Sequence, residues 1–177
     1  MKKDLIKNIL KSCIYFYIVS VLTKGMVSGV FIARAFPEMV YLFWFLFISL
    51  GFTLKWTRKR WERILSVSAP FFINLTLFVY GYLCSGGFPN LISEDKIHFW
   101  DALHYLNLNI LLAPIMMHPQ TYYLRYLAMI FLPSTLFYIG MYLSRQSKLR
   151  FEDRINEMDV SVRGLFKGGD SNRERDS

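Results

Sequence analysis

The amino-acid sequence predicts an all-α fold: a multi-spanning integral membrane helical bundle of about four transmembrane helices, with a re-entrant or interfacial helix and a cytoplasmic amphipathic tail. Three observations carry that prediction. Hydrophobic residues make up 54% and aromatic residues 18% of the 177 positions, more apolar surface than a soluble domain of this size hides from water. Several runs approach the roughly 20 apolar residues that a helix needs to cross a hydrocarbon layer about 30 Å thick while satisfying its own backbone. The Lys and Arg residues behind the net charge of +8 sit at the ends of those runs, where they meet anionic headgroups and orient the helices. Charge placed in that way makes the lipid bilayer the expected partner rather than nucleic acid.

The first crossing is expected over residues 14–33. The preceding MKKDLIKNILK has the charge of a signal-peptide start, but the apolar run continues past Lys24 without a small-residue cleavage site, so it reads as a retained helix. The second crossing, 39–54, contains no charge, and Lys55 and Trp56 suit the interface beyond it. The third, 64–85, has Pro70 near its start and Asn74 nearer its middle, and the last, 126–143, contains Pro133. Both prolines are expected to kink their helices rather than break them. Residues 1–143 thus form a membrane domain.

Between the third and last crossings, Gly86, Gly87 and Pro89 mark an outer turn, and Ser93 followed by Glu94 and Asp95 starts a helix, with Ser as N-cap and acids in the first turn. The stretch 94–117 is expected to be re-entrant or interfacial. Its best apolar window, Ala102 to Met117, reaches only about 24 Å as a helix and carries His104, Asn107 and Asn109. If it does not cross, Lys2, Lys3, Lys7, Lys11, Lys55, Arg58, Lys59, Arg60, Arg63, Arg145, Lys148 and Arg150 gather on one side, against Arg34, Lys96 and Arg125 on the other. The positive-inside rule then puts both termini in the cytoplasm of a cell membrane. Residues 144–167 form a cytoplasmic helix with an apolar stripe of Phe151, Ile155, Met158, Val162 and Leu165 at spacings of four and three. Residues 168–177 are too polar to bury a core and are expected to be disordered.

All three histidines, His98, His104 and His118, fall in one short region. On an α-helix turning about 100° per residue, Glu94, His98, Asp101 and Tyr105 share a polar stripe that His104 borders, and His118, beyond Pro114, can turn back towards it. His98, Asp101, His104 and His118 are therefore candidates for acid–base catalysis, and Glu94, His98, Asp101 and His104 for a divalent metal. Against this, a surface helix needs one polar and one apolar side, and Phe99, Trp100, Leu103 and Leu106 supply the latter. The spacing matches no helical metal motif such as HExxH, so no cofactor is expected.

Lys24 is a second oddity, because a cation near the middle of a crossing costs about 3 kcal/mol unless it is paired or reaches water. It is expected to bond to Asn74, Ser49 or backbone carbonyls, to reach the interface through a shifted helix, or to meet a charge in another protein. Beside it, Gly25 and Gly29 offer a flat surface on which a second helix can pack closely. Cys13 and Cys84 fall on opposite sides of the bilayer, too far apart for a bridge.

The leading expectation is a multi-pass bacterial accessory or regulatory subunit that assembles through Lys24, Gly25, Gly29 and the tail with another membrane protein or a homo-oligomeric copy. The alternatives are a membrane-embedded enzyme acting on lipid or extracytoplasmic peptide through the histidine region, and a small transporter or channel subunit whose polar path is lined by Lys24 and Asn74. The few polar residues within the crossings favour assembly over catalysis or a relay.

Overall fold

The computed structural model describes residues 2–28, 40–89, 91, 93–107 and 122–170. These residues form helices and short connections, with no strand among them. In chain order the helices are α1 (Lys2–Ser28), α2 (Val40–Gly51), α3 (Arg60–Val67), α4 (Ala69–Ser85), a 3₁₀ helix (Glu94–Trp100), α5 (Asp101–Leu106) and α6 (Tyr122–Asp170). The chain divides into two compact units, Met1–Tyr142 and Leu143–Ser177, and α6 contributes residues to both.

Two helical stretches, Lys3–Gly25 and Tyr123–Ile155, are long and apolar enough to cross a membrane. The pair α3 and α4, bent by 55°, makes a third if it is one span. Within the second expected crossing, α2 has 12 residues and is about 18 Å long, short of the hydrocarbon thickness.

Two of these helices turn uncharged polar residues inward and large apolar residues outward, against the pattern of a water-soluble bundle. Asn8, Ser12, Ser20 and Thr23 of α1 are buried, whereas Leu10, Ile14, Tyr17 and Val21 are exposed. On α4, Asn74 and Ser85 are buried while Phe72, Val79 and Leu83 are exposed. Polar groups must find partners inside the bundle when the surroundings offer none. Between α1, α2 and α6 the core is filled by Phe16, Val19, Phe43, Phe47, Phe137 and Met141. Gly51 and Gly140 bring α2 and α6 into backbone contact there: a Cβ on Gly51 would stand 3.0 Å from the Gly140 Cα, and one on Gly140 would overlap the Ile48 carbonyl.

The two prolines behave differently. The kink expected at Pro70 is a break: α3 ends at Val67, Ser68 intervenes, and Pro70 lies in the first turn of α4. A pyrrolidine lacks an N–H and clashes with the carbonyl four residues back, so a first turn accommodates it best. The neighbouring unsatisfied donor, the Phe71 N–H, is taken up by Ser134 Oγ at 3.0 Å. Pro133 instead lies inside α6, which continues through it. Its missing N–H leaves the Met129 carbonyl without a helical donor, and Asn74 Nδ2 supplies one at 2.6 Å.

In the second unit, residues 144–167 of the expected tail lie within α6. Phe151 and Ile155 are exposed. The side chains of Met158, Val162 and Leu165, and residues 171–177, lie outside those described.

Candidate functional site

At one end of the first unit, α4 terminates on Gly86, whose φ of 82° is the left-handed geometry that glycine accepts without cost. Ser85 Oγ bonds to the carbonyls of Gly81 and Gly87 at 2.6 and 2.8 Å. The same oxygen accepts the indole N–H of Trp100 at 3.1 Å. Trp100 is fully buried. It lies on Gly81, where a Cβ would stand 3.0 Å from the indole, and meets Tyr126 and Phe78 with ring centroids 5.2 and 5.5 Å away. The residue expected on the apolar side of a surface helix is thus the anchor of the histidine segment.

That segment begins after Ser93, but as a 3₁₀ helix rather than the α-helix on which the polar stripe depends. At about three residues per turn, Glu94, Ile97 and Trp100 align, so Glu94 parts from His98 and Asp101, which remain one turn apart on another side. His98 and Asp101 are exposed. His104, on α5, is half-buried, stacks on Trp100 at 6.4 Å, and has Nε2 3.4 Å from the Tyr126 hydroxyl. Burial holds its pKa below the ordinary value of 6.5, with Asp101 pulling the other way. Among the described residues no three His, Cys, Asp or Glu side chains are grouped to hold a metal. The Glu94 side chain and His118 lie outside the described residues.

Lys24 lies in the last described turns of α1, which is described as far as Ser28. Nζ lies 4.2 Å from the centre of the Tyr105 ring, a cation–π contact between two exposed side chains. Asn74, its expected partner, is engaged elsewhere: Asn107 Nδ2 donates to Asn74 Oδ1 at 2.9 Å, and Asn74 Nδ2 donates to Asn107 Oδ1 at 3.2 Å and to Met129. Ser20 Oγ adds a bond to the Leu106 carbonyl at 2.6 Å, close to the end of α5. The amides and this hydroxyl tie α1, α4, α5 and α6 together. A Cβ built on Gly25 meets no heavy atom of the described residues within 4 Å, and Gly29 lies outside them.

The opposite end is basic. Asn8 Nδ2 donates to the Lys55 carbonyl at 2.8 Å and to Ser66 Oγ at 3.2 Å, while Asn8 Oδ1 accepts the Lys55 N–H at 3.1 Å. Lys55 Nζ pairs with Asp4 at 3.0 Å, and the Arg63 guanidinium lies 4.4 Å from the Trp56 ring centre. The basic start of α1 and the basic connection before α3 therefore share one end. Trp56 also meets Tyr142 at 6.1 Å, so the chain leaves the first unit there. Glu62 is buried at this end, and its Oε2 has no hydrogen-bond partner among the described residues. Its arginine neighbours in the sequence disguise it as a solvated charge.

Cys13 is half-buried and Cys84 exposed, and both are free thiols. Among the described residues, the contacts at the two ends are packing and capping contacts. Compared with known proteins, the chain matches no family model, and neither a curated protein nor a solved structure is significantly similar to it.

Proposed function

We propose that this chain is a multi-pass membrane accessory protein that acts by helix–helix assembly with a partner membrane protein or with a second copy of itself. It crosses the cell membrane about four times, with 39–54 as the second crossing and both termini in the cytoplasm. The observation that carries this reading is the burial pattern of α1: Asn8, Ser12, Ser20 and Thr23 are used inside the bundle, and Leu10, Ile14, Tyr17 and Val21 form an exposed apolar ridge at helical spacing. Such a ridge suits lipid or another helix. Gly25 follows one turn further on, where a partner backbone can approach closely. The basic residues gathered at one end support the cytoplasmic assignment of that end.

The test is purification from mild detergent with and without Gly25→Leu, a site where an added side chain has room within the fold. A constant partner, or a second copy, is expected with the wild type and lost from the variant. A monodisperse monomer in both cases contradicts assembly. Labelling of a Ser147→Cys variant from outside intact cells contradicts the orientation.

A further inference from the structure

The bend between α3 and α4 opens a wedge against α6. It forms a groove of about 510 Å³ lined by Arg60, Ile64, Ser68, Phe71, Thr135 and Tyr138, with Phe131 at its inner edge. Phe131 also borders a second, wholly apolar groove of about 380 Å³ between Phe78 on α4 and Tyr123 and Leu127 on α6. The two hollows together follow α6 from Tyr123 to Tyr138, about 22 Å of helix, which exceeds the roughly 15 Å of hydrocarbon in one leaflet.

The charges differ sharply along this furrow. Its apolar length carries none, whereas its mouth has Arg60, with Arg58 and Lys59 next in the chain. Among the described residues the side chains of Arg58, Lys59 and Arg60 have no hydrogen-bond or ion-pair partner, and all three residues are exposed. The Tyr138 hydroxyl likewise has no partner among the described residues. Glu62, the acid on the same helix, does not line the groove. An apolar slot with a cationic mouth has the chemistry of an anionic amphiphile, with phosphate at the mouth and an acyl chain along the rings.

We propose that the furrow between α3–α4 and α6 binds one anionic phospholipid, its phosphate held by Arg60 and Tyr138 and an acyl chain laid over Phe71 and Phe131 towards Phe78. The proposal rests on the membrane reading above, and solubility of the chain without detergent removes both. Lipid selectivity tests the furrow separately.

The full chain, purified in a nonionic detergent, is titrated with phosphatidylglycerol or, as zwitterionic control, phosphatidylcholine, and retained lipid is counted by native mass spectrometry. One phosphatidylglycerol per chain is expected, retained about fivefold better than phosphatidylcholine, the selectivity of about one well-placed basic residue. Arg60→Gln brings phosphatidylglycerol down to the control level. Arg58→Gln, which removes a neighbouring charge that does not line the groove, leaves it unchanged. Thr135→Trp fills the slot from an exposed position and abolishes retention, with elution volume and thermal midpoint confirming that each variant remains folded. Equal retention of the two lipids, equal losses from Arg58→Gln and Arg60→Gln, or full retention in Thr135→Trp overturns the proposal. So does a stoichiometric protein partner displaced by Thr135→Trp, which gives the furrow to a helix instead.

Discussion

At one end of the first unit a single asparagine holds a basic connection in place; at the other a tryptophan holds the histidine segment. Asn8 does its work with three directional bonds, to both backbone groups of Lys55 and to Ser66, while Lys7, Lys11 and Lys55 remain exposed. Trp100 does it with area, shutting an aromatic cluster of Phe78, Phe88 and Tyr126 and spending its one N–H on Ser85. Where charge must stay solvated, a connection is fixed by bonds to its backbone. Where the surface is aromatic, it is fixed by burial.

The strongest way to break this contrast is Trp100→Ala. Removing a fully buried indole from a packed cluster is expected to cost about 3 to 5 kcal/mol, read as the unfolding midpoint in detergent. Asn8→Ala is expected to cost less, roughly 1 to 3 kcal/mol, because it strands the Lys55 amide and carbonyl without opening a large void. Equal losses from the two variants would erase the distinction.

The smallest effect sharpens it through pH. Folded His104 binds a proton more weakly than an ordinary histidine, so the unfolded chain takes up more protons as pH falls through the ordinary pKa of 6.5. Stability is therefore flat above that value and declines below it, and the decline is absent in His104→Phe. An unchanged slope in the variant would assign the effect to other groups.

Much of this architecture is legible one helix at a time. The apolar runs give helices, Gly86 turns the chain after α4, and the basic clusters of α1 and residues 55–63 meet at one end as their charge suggests. What periodicity misses is who faces whom. Asn74 reads as an isolated polar residue until Pro133 of another helix leaves a carbonyl beside it. Gly51 and Gly140, which no pattern in the sequence singles out, bring two helices of this chain together. The polar stripe drawn through Glu94, His98 and Asp101 depended on an angle per residue, and a 3₁₀ turn over 94–100 changes that angle, parting Glu94 from the other two. Lys24 meets the Tyr105 ring, a partner distant in the chain that periodicity does not point to.

The bond from Asn74 to Met129 spans 55 positions of the chain. Ribosomal synthesis therefore delivers the donor well before its acceptor exists. Asn107 is made in between and can engage one Asn74 N–H and its oxygen, so in a bilayer α4 waits with the second N–H unpaired, and α6 arrives carrying a carbonyl that its own proline has orphaned; docking relieves both. A nascent chain halted before Met129 therefore lacks the one bond that joins this amide pair to α6.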